Sequence, residues 1–245
     1  MIILFTSNPA RGIIDEDHPH HSFFNSTLLN DGGLLIDIIP AGAVYYGVNS
    51  SFEIGTASLL FLGGSPNLIA KHKMFDLGIH QITFTSISGF IPKKTVDESN
   101  NLEIFGLYSV HGVVDGWKIN DRWTLNLGLV HGYALLETYQ DLKVGRVKSR
   151  VTLDAYAALM GFDLNMSSDL HLNIFALSPM YFDMDIVSDV GDGELSLVAD
   201  LKNLRRFFIF NTSFVKAWRS FHFEVGVFHA NSLNTPYVSA LWRFL

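Results

Sequence analysis

Four absences frame this chain. It contains no cysteine, which excludes disulfides and thiolate metal sites. Only 17% of its 245 residues are charged, against about 25% in ordinary soluble domains. No run approaches the roughly 18 to 20 unbroken apolar residues of a membrane-crossing helix, the longest being short pieces such as "GLLIDII" and "FFIF". No stretch shows a clear helical period. The net charge of −7 argues against nucleic acid as a partner, which wants a basic face. The opening "MIILFTSNPARG" holds an apolar stretch too short for a secretory core, with no basic residue before it. Two expectations follow from it: a signal peptide removed ahead of this numbering, or a protein that is not exported.

What is present is apolar and patterned for sheet. Hydrophobic residues make up 48%, with 20 Phe and 20 Gly, and period-two alternation dominates from residue 34 onward. In "RWTLNLGLVHGYALLE" Trp123, Leu125, Leu127, Leu129, His131 and Tyr133 fall on one face, while Asn126, Gly128, Val130 and Gly132 fall on the other. Tight polar pivots at Asn49–Ser51, Gly78–His80, Asn120–Asp121, Ser167–Ser168 and Trp218–Arg219 alternate with longer connectors, at Gly63–Asn67, Pro92–Asn101, Thr138–Ser149, Val187–Asn203 and Asn231–Thr235. Strict alternation of short and long links is what an up-and-down meander gives when one rim is trimmed and the other decorated.

The links divide the chain into strands near 34–49, 51–62, 68–78, 80–91, 102–118, 122–137, 150–165, 169–186, 204–217, 220–230 and 236–245. "SFFNSTLLN", ahead of the turn Asp31-Gly32-Gly33, supplies a first strand and an even total of about twelve. The expected fold is all-β, an antiparallel up-and-down barrel over residues 22–245, preceded by an arm over residues 1–21.

The four rewritings of one hairpin, "VNSSFEIG", "INDRWTLNLG", "NMSSDLHLNI" and "AWRSFHFEVG", together with the ending "YVSALWRFL", resemble a bacterial outer-membrane β-barrel. The ending departs from the usual insertion signal in that Leu245 follows the terminal aromatic. The resemblance covers roughly residues 22–245 and is one of architecture. It implies an outer-membrane location, a lipid bilayer as partner, and assembly with copies of itself or with another envelope protein, and it calls for no cofactor.

On that reading the aromatic faces, with Phe52, Trp123, Phe221, Phe223, Trp242 and Phe244 near strand ends, are expected to face the membrane. The opposite, polar faces are expected to line the lumen, because a charge at the lipid-facing midplane costs up to about 2 to 4 kcal/mol. These carry Asp37, Glu53, Lys71, Lys73, Glu103, His111, Asp115, Asn126, Asp154, His171, Asn173, Asp183, His222, Glu224 and Arg243. Their acids outnumber their bases, which favours cations or neutral polyhydroxy solutes over anions. Inward Phe105, Phe175, Phe228 and Tyr181 would narrow the bore.

Three function classes stay open at this point: a narrow porin-like conduit, a non-conducting scaffold for a partner protein or surface recognition, and a lipid hydrolase. The third would draw on Ser109 with His111, two apart on one strand face, or on His222 with Glu224. It is an expectation that the chain is not an enzyme. "DEDHPHH" (Asp15 to His21) gathers three imidazoles and three carboxylates, but Pro19 interrupts the run and a solvated arm explains it, so no metal site is expected. The acidic "VSDVGDGELSLVADLKN" lacks the spacing of an EF-hand and reads as an exposed loop. No phosphate-loop, dinucleotide, HExxH or GxSxG pattern occurs.

Overall fold

The structure, a computed structural model, describes residues 25–29, 31–37, 42–97, 101–142, 145–190, 193–198, 208–218, 220–230 and 233–244. The expected arm over 1–21, with its Asp15–His21 cluster, and the terminal Leu245 lie outside the described residues.

Twelve antiparallel strands close on themselves. In chain order they are β1 (Leu34–Asp37), β2 (Ala43–Asn49), β3 (Phe52–Ala57), β4 (Asn67–Asp76), β5 (His80–Asp97), β6 (Leu102–Lys118), β7 (Trp123–Leu142), β8 (Gly145–Ser167) and β9 (Leu170–Val190), then β11 (Ile209–Trp218), β12 (Phe221–Ala230) and β13 (Leu233–Phe244). The ring shuts where β13 pairs with β1, Leu34 opposite Phe244 and Asp37 opposite Leu241. A thirteenth strand, β10 (Gly193–Val198), is outside the ring and pairs with the far half of β9. The single described helix, α1 (Ser58–Leu62), joins β3 to β4. The expected all-β barrel of about twelve strands is the observed fold.

The route to twelve differs from the expected one. The chain between 34 and 49 is two strands, with Ile36 opposite Val44 and Leu34 opposite Tyr46. Gly42, just ahead of β2, takes φ 53°. Of "SFFNSTLLN", expected as a wall strand, the described part, Asn25–Leu29, has no strand pairing. The Thr138–Ser149 connector is sheet, since β7 and β8 pair out to Leu142 opposite Gly145. So is most of the acidic loop, which folds back as the β9–β10 hairpin. In both places alternation continues through polar residues that read as loop by composition alone.

The wall is uneven. β5 to β9 run 18, 17, 20, 23 and 21 residues, whereas β1 to β3 run 4, 7 and 6. Where the low front wall stops, α1 presents Leu60, Phe61 and Leu62 to the exterior. Buried Leu35, Ala43, Tyr45, Ala57, Ile69 and Leu241 pack behind that wall around Leu29. Val114, Val130 and Leu159 form a second cluster inside the high wall.

Candidate functional site

The segment Asn25–Leu29 lies inside the barrel, buried at Asn25, Ser26 and Leu29, and runs along the inner wall over five neighbouring strands, β3 to β7. On the β3–β5 side, the Leu29 N–H donates to Glu53 Oε2 at 2.9 Å. Lys71 Nζ donates to Asn25 Oδ1 at 3.3 Å and to the Thr27 carbonyl. Thr83 Oγ1 and the Gln81 amide both donate to the Ser26 carbonyl, the former at 2.8 Å. On the β6–β7 side, the Ser26 N–H donates to Asn126 Oδ1 at 3.3 Å, and Ser26 packs against Gly116. A chain without its own ladder must find partners for buried N–H and C=O groups. Short polar residues of wall and segment supply them here, and Leu29 anchors the end in the apolar cluster.

A polar network extends from this segment around the inner wall. Asn126 donates to Asp163 Oδ2 at 2.8 Å, and Asn173 donates to the other oxygen of Asp163. His171 Nδ1 lies 3.0 Å from Asn165 Oδ1. Tyr237 folds across Gly226, where a Cβ would meet its ring at 2.7 Å, and donates to Glu224 Oε1 at 2.7 Å. Asn211 donates to that phenol at 3.0 Å, and Ser239 donates to Asp37 Oδ1 at 2.9 Å.

Register fixes which side each expected site residue takes, because directly opposed residues share a face. Asp37, Glu53, Lys71, Lys73, Asn126, His171, Asn173, His222, Glu224 and Arg243 stand on the inward face. Phe52, Trp123, Phe221, Phe223, Trp242 and Phe244 stand on the outward face, where Trp123 meets Phe162 at 4.4 Å and Phe221 meets Trp242 at 5.0 Å between ring centroids.

Five residues expected to line the lumen face outward instead: Glu103, His111, Asp115, Asp154 and Asp183. Asp115 opposes Leu127, His111 opposes His131 and Glu103 opposes Tyr139, all on the outward face of β7 that bears Trp123. Asp154 opposes Tyr133 on that same face. Asp183 is turned by a β-bulge. Tyr156 pairs with Tyr181 but Ala157 pairs with Pro179, leaving Met180 as the extra residue. Proline has no N–H for the ladder, and the bulge inverts the alternation beyond it. Tyr181 goes outward with Asp183, and Phe105, opposite Glu137, does so as well.

The excess of inward acid goes with them. Asp37, Glu53, Asp76, Asp163 and Glu224 share the inward face with Lys71, Lys73, Lys118 and Arg243, close to balance. The outward face gains a polar row that the sequence reading missed. Ser86, His111, His131, Tyr156 and Tyr181 follow one another across β5 to β9 in direct register. Ser86 Oγ is 2.8 Å from His111 Nδ1, and His131 Nε2 is 2.8 Å from Asp154 Oδ1. The serine against His111 is therefore Ser86 from the neighbouring strand, not Ser109 two residues away. His222 and Glu224 are buried on the inward face, where Glu224 serves Tyr237.

No protein-family model matches the chain, and no curated protein does. Among solved structures, CdiB from Acinetobacter baumannii matches with 10% identity and a TM-score of 0.32, over 86% of this chain and 59% of that one. The chain therefore spans less than two thirds of the length of that structure.

Proposed function

We propose that this barrel lies in a bacterial outer membrane and acts as a narrow conduit for small polar solutes, held shut by its own Asn25–Leu29 segment. The observation that carries the reading is the segment's place inside the barrel. Hydrogen bonds with Lys71, Gln81, Thr83 and Asn126, on β4, β5 and β7, hold it against the inner wall, where it takes up part of the lumen. Water and hydroxylated solutes can replace such bonds with little net loss, so the closure is reversible in principle. The near balance of inward charge favours weak ion selectivity over a strong cation preference.

Apart from Asp115, which lies on this face paired with His80 at 3.2 Å, the outward face supports the membrane setting. Leu129, Met160, Val225, Val227 and Val238 are exposed there, above a band of Trp and Phe of the kind that gathers at bilayer interfaces. The front strands are shorter than the roughly 9 to 11 residues of a bilayer crossing. The exposed apolar side chains of α1 extend the greasy surface at that point.

The test exploits the absence of native cysteine. Ser26→Cys with Asn126→Cys places two thiols at neighbouring positions of segment and wall, where the Ser26 N–H donates to Asn126 Oδ1 in the wild type. In planar bilayers the reduced protein should show intermittent openings, and the oxidised protein should be silent until reductant is added. Silence in both states would remove the conduit and leave a closed scaffold.

A second reading, lipid hydrolysis on the outer wall, draws on the Ser86–His111 pair, a nucleophile and base within hydrogen-bond reach. A fluorophosphonate probe should then label the detergent-purified protein, and Ser86→Ala should abolish the label. Absence of labelling in wild type retires that reading.

A further inference from the structure

β5 to β9 continue past the level where the front wall ends, and their outward face is charged there. One ladder row holds Glu103, Tyr139, Lys148 and Asp189; the next holds Phe105, Glu137, Arg150 and Val187. A strand crosses a bilayer in roughly 9 to 11 residues, so a crossing that starts at Trp123 ends near Tyr133 and these rows stand beyond it.

Glu137 organises the group. Its Oε1 accepts from Lys148 at 3.0 Å and from Arg150 Nε at 2.9 Å and a terminal nitrogen at 2.7 Å, and its Oε2 accepts from Tyr139 at 2.8 Å. These donors hold the carboxyl down at about 2, so it stays ionised and the two cations stay in place. Lys93 joins from β5, 2.8 Å from Glu103. The Lys93 and Lys148 ammonium groups lie over the Tyr139 ring, at 5.2 and 5.4 Å from its centre. Lys93, Phe105, Tyr139 and Lys148 line a shallow cavity of about 360 Å³. A neighbouring hollow of about 270 Å³ is lined by Lys148, Arg150, Val187 and Asp189. Lys93 and Arg150 are half exposed in spite of their partners. Directly below, toward the membrane, Leu107 opposes Leu135 on the same outward face.

We propose that this outer-wall cavity binds the headgroup of an anionic glycolipid of the outer leaflet. Its phosphate meets Lys93, Lys148 and Arg150, its sugar ring lies on Tyr139 and Phe105, and its chains run down over Leu107 and Leu135. Three features select that chemistry together. Phe105 and Tyr139 line the cavity with aromatic surface, which suits the C–H face of a sugar. The Lys93 and Lys148 ammonium groups over Tyr139 and the neighbouring Arg150 guanidinium supply the charge, and charge-assisted bonds from such groups to phosphate are the strong ones. An apolar lane leads away in the direction lipid would occupy. The inference rests on the outer-membrane reading of the outward face, and not on the lumen being a conduit.

The experiment uses the full chain folded in detergent and exposed to a bisphosphorylated glucosamine-disaccharide lipid, with the same lipid dephosphorylated, soluble glucosamine phosphate and inorganic phosphate as separate arms. Native mass spectrometry counts bound lipid. The wild type should retain the phosphorylated lipid over its dephosphorylated form by about tenfold, the scale of one charge-assisted hydrogen bond. Lys93→Gln with Lys148→Gln should abolish that preference, while Lys118→Gln at the opposite rim should leave it intact. Equal retention of the two lipids by wild type overturns the proposal without any variant. Retention of the preference by the double variant also overturns it. Displacement by equimolar soluble glucosamine phosphate would assign the cavity to a free phosphosugar and overturn the lipid assignment. Failure of the outer-membrane reading would show separately, as a wild-type protein that stays monodisperse without detergent.

Discussion

The Cβ that Gly116 lacks would fall 1.8 Å from Ser26 Oγ, so the lumenal segment can rest against β6 only because that position is glycine. Gly116→Val should therefore push Ser26 off the wall while leaving the barrel register intact. The expected outcome is higher single-channel activity and faster proteolytic nicking within 25–29 in otherwise folded protein. If the segment does not yield, the overpacking should instead cost about 1 to 3 kcal/mol of stability. Wild-type currents with wild-type stability would mean that Ser26 does not occupy this place.

Lys71 and Glu53 face each other in register between β4 and β3, each with 0% exposure. Removing one partner of such a buried pair leaves an uncompensated charge and costs about 3 to 5 kcal/mol. Lys71 also holds Asn25 and Thr27, so Lys71→Met should both destabilise the barrel and loosen the segment. Lys71→Met with Glu53→Leu should recover most of the stability but not the closure. Urea unfolding of the single and double variants, run as a cycle, separates the two effects. Additive losses would show that the two side chains do not act as a pair.

Much of this barrel is legible in the sequence, and the errors have definite physical sources. The tight rim is written in Asn, Ser, Asp and Gly at the pivots, and three of the strands that leave it open on an outward aromatic, Phe52, Trp123 and Phe221. Polarity alone sets His111 and Asp115 on the inward face of β6. Pairing β6 with β7 about the Asn120 turn, Lys118 opposite Thr124, would have placed both with Leu127 and His131. Register was the better signal. Asp183 needed the bulge after Pro179, which the proline hints at without locating. The lumenal segment was harder to see, since "SFFNSTLLN" has strand composition and nothing local says that its hydrogen bonds go to side chains of β3 to β7. The charged outer rows read as loop because composition overrode a continuing alternation.

Glu137 gives the outer rows a pH signature. Its carboxyl is lowered from an ordinary 4.5 to about 2 by hydrogen bonds from Lys148, Arg150 and Tyr139. A depressed acid contributes stability above its unfolded pKa and loses that contribution as pH falls through the folded value. The stabilisation should therefore be complete above about pH 5 and fade toward about pH 2. Thermal unfolding of wild type and Glu137→Gln should differ most near neutrality and converge in acid. A gap that stays constant down to about pH 2 would mean that the carboxylate charge contributes nothing.

The outward face itself can be tested at Leu129, which is 61% exposed and lies about midway along the expected crossing of β7, between Trp123 and Tyr133. A soluble barrel would accept arginine there within about 0.5 kcal/mol, as surface positions usually do. A lipid-facing midplane position would lose about 2 to 4 kcal/mol. Leu129→Arg, unfolded reversibly from phospholipid vesicles, should show the larger loss, whereas Asp121→Arg at the fully exposed tip of the β6–β7 turn should show almost none. The comparison depends on the solvent that the side chain meets and not on what passes through the lumen. Equal, small losses at both positions would place Leu129 in water and remove the bilayer from the account, whatever the currents show.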